Sequence, residues 1–374
     1  MTKNFKEIIA DFFAHPMRLF FLYASVFALF GSFVLLFSFE NFIIFHQFIF
    51  LQLFCGCAFA GFLLNAMPDW TNYTGNLTPF STLAFILLTL SFILEITLQK
   101  GIFVMPLFWL FLLLTCSYWL YKDKNTNNFS LLFVLSCIFC VSVLQCFLGI
   151  QSYGLIHLYI AGIVIVGFRV SAVMAQLALD REYESKTYVF LPNPILRNLA
   201  YFSFVLLALS EFFMQFESLR GFLALAVGLI MLGRVAEWHH REFFRYHYTL
   251  IHYLLLLGIG VFYTLFGIDS LFSLGFSFAI LHGITIWALL GFILLIFNVA
   301  SLRHSGQLVL NFPTSSKIGF ILLALSMLSR TLLAKFHSIF YLSIPALLLV
   351  GVFVLFLVTF YRLYVQNPFS DDPK

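Results

Sequence analysis

The sequence predicts an all-α fold: a polytopic membrane helix bundle of about 12 transmembrane helices with both termini cytoplasmic. Three observations predict it. Hydrophobic residues make up 62% of the 374 and charged residues 10%, against about 45–50% and about 25% in an ordinary soluble domain. Apolar runs of about 20 residues, the length that crosses about 30 Å of hydrocarbon, recur along the whole chain. Lys and Arg gather in alternate connecting segments. The same composition excludes a soluble enzyme and a disordered chain, because too few charges exist to clothe a water-facing surface. The runs are continuously apolar rather than alternating, which selects helices over a barrel.

The first predicted span, 17–39, follows MTKNFKEIIADFFAHP directly. An apolar run that leads straight into a full-length span predicts a retained segment rather than a cleaved signal peptide. The spans 42–66, 80–98, 102–121, 130–149 and 155–179 complete the first half. The second half holds 198–214, 221–237, 249–267, 273–299, 317–334 and 340–363, with 198–214 and 221–237 the shortest. The longest connection, 180–197, reads DREYESKTYVFLPNPILR and is too short to fold alone. The whole of 1–374 therefore reads as one transmembrane domain, without an internal repeat.

The charges orient it. With the N-terminus inside, the inner segments carry Lys3, Lys6, Arg18, Lys122, Lys124, Arg181, Lys186, Arg197, Arg241, Arg245, Arg303, Lys317, Arg362 and Lys374. The outer ones carry Lys100, Arg220 and Lys335. This bias predicts a bacterial inner (cytoplasmic) membrane. The expected partner is the lipid bilayer. Nucleic acid is not expected, because a net charge of +4 is spread over short loops. The six Cys lie in or beside apolar runs and read as small buried hydrophobes. Cys137 and Cys140 share a helix face and suit a soft metal such as Cu(I).

Polar residues inside a bilayer are costly and therefore informative. They are His46, Gln47, Gln52, Gln145, His157, Arg169, Gln176, Glu211, Arg234, Glu237, His252, His282 and Asn298. At about 1.5 Å per residue, His282 lies about 13 Å deep from the outer side, and His252 and His282 differ by about 12 Å in height. Arg169 and Arg234 fall in the inner half, near the level of His252. A buried Arg needs an anionic partner: Glu237 or Glu211 within the chain, or a carboxylate from outside it, whose geometry matches a guanidinium fork. The bland readings stand beside these. His46 and His157 read equally well as imidazoles hydrogen-bonded between helices, Arg169 as a structural ion-pair member, and residues 239–247 as a solvated loop. The 52 Phe read as packing and lipid-facing surface.

Several blocks resemble the NnrS family of membrane proteins. AGFLLNAMPDWT (60–71), with His46 upstream, is similar to the family's W-H-x-H-E block, apolar helix and A-G-F-L-L-T-A-x-x-N-W-T. LHGITIWALLGFILLIFNVASLRHSGQ (281–307) resembles its L-H-A-x-T-x-G-A-x-G helix ending in G-H-T-G-R, and TLIHYLLLLGIG (249–260) its L-W-x-L-H-x-G-Y helix. His15-Pro16-Met17-Arg18, Gly167-Phe168-Arg169 and Gly233-Arg234 before Trp238 are weaker matches. The resemblance implies a haem- and copper-containing integral membrane protein of nitric oxide metabolism and nitrosative-stress response. Carried over residue by residue, it makes His282, His252, His46 and His304 the metal-ligand candidates. Arg169 and Arg234 match family Arg positions and become candidates for holding haem propionates. The departures are Phe48 at the family's second His, Ile49 at its Glu, Asn298 at an Arg, and Gln307 at the Arg after G-H-T-G. They favour haem without copper.

Imidazole ligates haem iron and copper. Nitric oxide, small and apolar, would reach a buried site through the lipid. The chain lacks a nucleophile–base arrangement, a phosphate-binding loop and a carboxylate pair, so any catalysis belongs to the metal's own chemistry. Enzyme, sensor and carrier stay open. The alternative is a twelve-helix transporter of a small solute, metal or haem, and a third reading is a scaffold subunit of a respiratory assembly. Against transport stands the lack of a midplane acidic relay and of paired Gly/Pro-broken helices.

Overall fold

The computed structural model describes residues 4–37, 41–124, 128–149, 153–183, 188–213, 217–307 and 309–370. Among them there is no strand. The helices are α1 (Phe5–Ala14), α2 (Pro16–Val34), α3 (Phe42–Trp70), α4 (Thr78–Leu98), α5 (Gly101–Asp123), α6 (Phe129–Leu148) and α7 (Gly154–Glu182). They continue as α8 (Pro194–Ser210), α9 (Glu217–Ala236), α10 (His247–Phe272), α11 (Ser277–Arg303), α12 (Thr314–Leu333) and α13 (Ser338–Gln366). Eleven of these are long and apolar enough to cross a membrane.

Each predicted apolar run holds a helix among its described residues (38, 39 and 214 lie outside them), with two differences. The run 198–214 becomes the 17-residue α8, begun and ended about four residues earlier. Asn193 accepts from the backbone N–H groups of Ile195 and Leu196, and Pro194 occupies the first turn. These start the helix inside what hydropathy alone reads as loop. At the other end the helix stops at Ser210, although Phe212 and Phe213 prolong the apolar run. The second difference is α1, which precedes the first span. Asn4 and Glu7 form a capping box at its start.

Helix faces are inverted relative to a soluble protein. On α4, Leu83, Ile86, Leu90 and Ile93 are exposed, while Ser81, Ala84, Leu88, Ser91 and Glu95 are buried. Apolar outside and small or polar inside is what lipid as solvent selects. The inner polar groups are matched locally: Glu95 accepts from the Gly101 N–H at 2.9 Å, and Ser91 donates to the Gly101 carbonyl at 2.8 Å.

The chain gathers into two compact units. The first holds α1–α6, residues Arg303–Gly306 and the chain from Leu349 onward. Within it Arg18 is fully buried and donates to Asp11 (2.7 Å) and to the carbonyls of Tyr364 (3.1 Å) and Asn367 (3.0 Å). One guanidinium thus ties α1, α2 and the end of α13 together. The second unit holds α7–α12 and the start of α13. Its tightest seam runs between α9 and α10. A Cβ on Gly228 would come within 2.5 Å of the Thr264 backbone nitrogen, and one on Gly260 within 2.7 Å of the Leu232 side chain. Glycines at these points let the two backbones touch, and their register sets which polar side chains meet at each end of the pair.

Candidate functional site

At one end of the α9–α10 seam, Arg234 and His252 are each 2% exposed. The His252 ring lies 4.0 Å from the Trp238 ring and 5.5 Å, edge-on, from Phe292 of α11. The charge of Arg234 reaches both His252 and Glu237. Arg234 packs 5.6 Å over the Phe168 ring of α7, and Arg197 of α8 packs 4.7 Å over the same ring. Arg169, half-buried, feels the charge of Arg197. Two guanidinium groups therefore pack over Phe168, and a third, Arg169, lies within electrostatic reach of one of them. Glu237 is the acid beside them, and one of its oxygens accepts from the Asn193 N–H at 3.2 Å.

The polar atoms here are under-used. Nδ1 of His252, Nε of Arg234, Nε1 of Trp238 and Oε2 of Glu237 are buried and make no hydrogen bond among the described residues. A buried polar atom without a partner costs about 1–3 kcal/mol, and such atoms are rare in folded proteins. Gly167, next to Phe168, is buried, yet a Cβ placed on it would meet no heavy atom within 4 Å. Three unused donor or ligating nitrogens, excess positive charge and open space beside Phe168 suit a flat apolar molecule that carries carboxylates.

The other predicted residues have different surroundings. His282 shares the second unit with His252 but not its neighbours: its ring meets Phe278 at 4.7 Å and Tyr341 at 5.8 Å. Its Nδ1–H donates to the Phe278 carbonyl at 2.8 Å. Gly283 faces Phe262, whereas His252 faces Phe292. Ten residues from 282 to 292 put the two imidazoles about 15 Å apart along the helix pair, near the sequence-derived height difference. In the first unit, His46 donates from Nδ1 to the Gly31 carbonyl at 3.0 Å. Here His304 donates to the Ser370 carbonyl at 3.2 Å and stacks on Phe369 at 5.0 Å. At His282, His46 and His304 the backbone acceptor holds the proton on Nδ1 and places the ring lone pair on Nε2, the tautomer that ligates metals through Nε2.

Sequence reasoning missed Phe168 and Arg197, and used Trp238 only as a landmark. An aromatic between two Arg in space leaves no mark on chain spacing. No group of three or more His, Cys, Asp or Glu side chains converges among the described residues. The six cysteines are free thiols, with Cys137 half-buried and Cys140 exposed.

No curated protein matches the chain. A family model described as NnrS protein matches residues 11–367. That span runs from within α1 to the first residue after α13 and takes in the buried His252, Arg169, Arg197, Arg234 and the His304 turn. The chain belongs to the NnrS family.

Proposed function

We propose that this chain is a haem-binding integral membrane protein of the bacterial nitric oxide response, seated in the inner membrane with both termini cytoplasmic. One observation carries the reading: the partnerless Nδ1 of fully enclosed His252 lies beside the partnerless Nε of Arg234 and Nε1 of Trp238. A neutral ring lone pair would hold haem iron. The guanidinium groups of Arg234, Arg197 and Arg169 suit propionate carboxylates. His252 is the first-choice ligand, with His282, His46 and His304 as further candidates through Nε2. When bound, haem would supply an iron able to take up a diatomic gas.

The chain's own part is binding and exclusion. Trp238 and Phe292 cover the imidazole, and its Nδ1 has no competing hydrogen-bond partner among the described residues. Nitric oxide dissolves in hydrocarbon and would need no polar channel. Copper is the second metal the resemblance implies; the proposal rests on haem because the partnerless buried nitrogens gather at His252.

The test is the optical spectrum and metal content of the purified protein after haem-replete expression. The expected result is a Soret band that shifts on exposure to nitric oxide and is lost or displaced in His252→Ala. Absence of the band rejects haem. A band untouched in His252→Ala moves the ligand to another histidine, with His282→Ala, His46→Ala and His304→Ala as the next variants. Stoichiometric copper would restore the second metal.

A further inference from the structure

The other end of the second unit holds a chain of ionisable groups that the haem site does not use. Tyr263 of α10 and His157 of α7 are each 0% exposed. The Tyr263 hydroxyl and His157 Nδ1 lie 2.8 Å apart. On the far side of the ring, His157 Nε2 faces Oε1 of Glu211, just past α8, at 3.5 Å, an ion-pair distance at which neither atom makes a hydrogen bond among the described residues. The other oxygen of Glu211 lies 3.9 Å from NH1 of Arg220, in the first turn of α9. Phe204 and Phe266 wall the pair in, at 5.0 Å from the Tyr263 ring and 6.1 Å from the His157 ring. Tyr263 is nine residues from the end of α10 at Phe272, about 14 Å inside it.

The electrostatics orders the protons. A carboxylate opposite Nε2 favours the imidazole tautomer that carries its proton there. Nδ1 is then the acceptor, and the Tyr263 O–H donates to it. A phenol that needs only a hydrogen bond can use a neutral hydroxyl, as Tyr23 does with Thr89 at 2.9 Å. Tyr263 instead meets a base, the base meets a carboxylate, and the carboxylate meets a cation. The series leads from Tyr263 to Arg220, which is 19% exposed.

We propose that Tyr263 is a redox-active tyrosine, with His157 as its proton acceptor and Glu211 as the group that holds the resulting imidazolium. One electron passes from the phenol to a one-electron oxidant of the membrane phase, such as a metal centre in its higher valence. The O–H bond of Tyr263 breaks and an N–H bond forms at Nδ1 of His157. The products are a neutral phenoxyl radical, a protonated His157 and the oxidant reduced by one electron. Return of an electron from a one-electron reductant carries the proton back. Phenol oxidation in a bilayer without a base would leave a radical cation in a low-dielectric medium. The imidazole 2.8 Å away removes that penalty, and Glu211 neutralises the positive charge left on the ring. Nothing in this step depends on the haem reading.

The test uses the full chain in lipid nanodiscs, photo-oxidised with tris(bipyridyl)ruthenium and persulfate, freeze-quenched and read by electron paramagnetic resonance. A persistent tyrosyl signal is expected in the native protein, unchanged in Tyr23→Phe and lost in Tyr263→Phe. His157→Gln keeps a hydrogen-bonding group but no base, and should lower the persistent signal tenfold or more. Added imidazole should restore it in His157→Gly, a recovery that a purely structural role does not produce. The proposal is overturned if Tyr263→Phe retains the full signal. It is equally overturned if His157→Gln leaves yield and lifetime unchanged, or if imidazole rescues nothing in a His157→Gly variant that is folded by its circular dichroism.

Discussion

The rings of His252 and Trp238 lie 4.0 Å apart at an angle of 42°, and neither the Nδ1 of the first nor the Nε1 of the second has a hydrogen-bond partner among the described residues. Two adjacent buried nitrogens left unused define one spot in the second unit. Trp238→Phe keeps the ring and removes the N–H. If that N–H donates to the bound group, its loss costs about 0.5–1.5 kcal/mol. Haem affinity, measured by titration of the apoprotein, should then fall about two- to tenfold while the Soret position holds. His252→Ala should displace or abolish the band itself.

Close approach of α9 and α10 makes Gly228 intolerant of a side chain. Its Cβ would lie 2.5 Å from the Thr264 backbone nitrogen, a group that cannot swing aside. Gly228→Leu should destabilise the protein by at least the roughly 1–3 kcal/mol typical of overpacking, read as a lowered unfolding midpoint in detergent. Gly149, which meets nothing within 4 Å, marks the contrast: its cost comes from a φ of 63° alone. Gly149→Asn, a residue that tolerates that conformation, should stay within about 1 kcal/mol of the native protein.

Arg18 holds three partners from α1 and the C-terminal stretch on one buried guanidinium. Arg18→Met takes one partner from the Asp11 carboxylate, which keeps His15 at 3.7 Å, and the side-chain donor from two carbonyls. Breaking a buried pair from one side costs about 3–5 kcal/mol; Asp11 is 16% exposed, which puts the expectation at the lower figure. Loss of the tie should also raise hydrogen exchange in residues 364–370. Arg18→Lys keeps the charge without the fork and should fall between.

A surface pair predicts a pH effect. The Tyr183 hydroxyl donates to Glu242 at 2.8 Å. A backbone N–H and this phenol hold the Glu242 carboxyl below its usual range, and the same carboxylate raises the Tyr183 phenol. A depressed folded-state pKa contributes stability that is complete above the unfolded value of about 4.3 and is lost as pH falls through the folded one. The exchange protection factors of residues 240–246, with the intrinsic pH dependence of amide exchange divided out, should therefore be steady from pH 7 to about 5 and fall below about 4. Glu242→Gln should remove that step. An unchanged acid limb in this variant would assign the step to another group.

Much of the fold was legible because hydropathy and helix length are local. The runs 17–39, 102–121 and 130–149 differ from α2, α5 and α6 by only a few residues at most boundaries, since apolar length and chain-end charge decide them. The early start of α8 was less visible: it depends on an Asn193 cap five residues before position 198, where hydropathy alone begins the run. The π-helical turns at Ile49–Phe54, Ile284–Leu290 and Ser329–Leu333 left no sequence signal. Of the site, His252 and Arg234 stood out as costly in lipid. Phe168, Arg197 and Tyr263 looked like any of many aromatic or basic residues.

What the sequence determined by itself was the class of the molecule, the positions of its apolar helices and a short roster of polar side chains that hydrocarbon penalises. Each of those is a property of one segment and its solvent. Tertiary structure alone decided which members of the roster meet. Trp238 reaches His252 where glycines 228 and 260 let α9 and α10 lock in one register, and Tyr263 reaches His157 where α10 packs on α7. A shift of one residue on either helix would turn those side chains about 100° away from each other. That choice depends on how two surfaces interlock, and the order of residues along one chain does not express it.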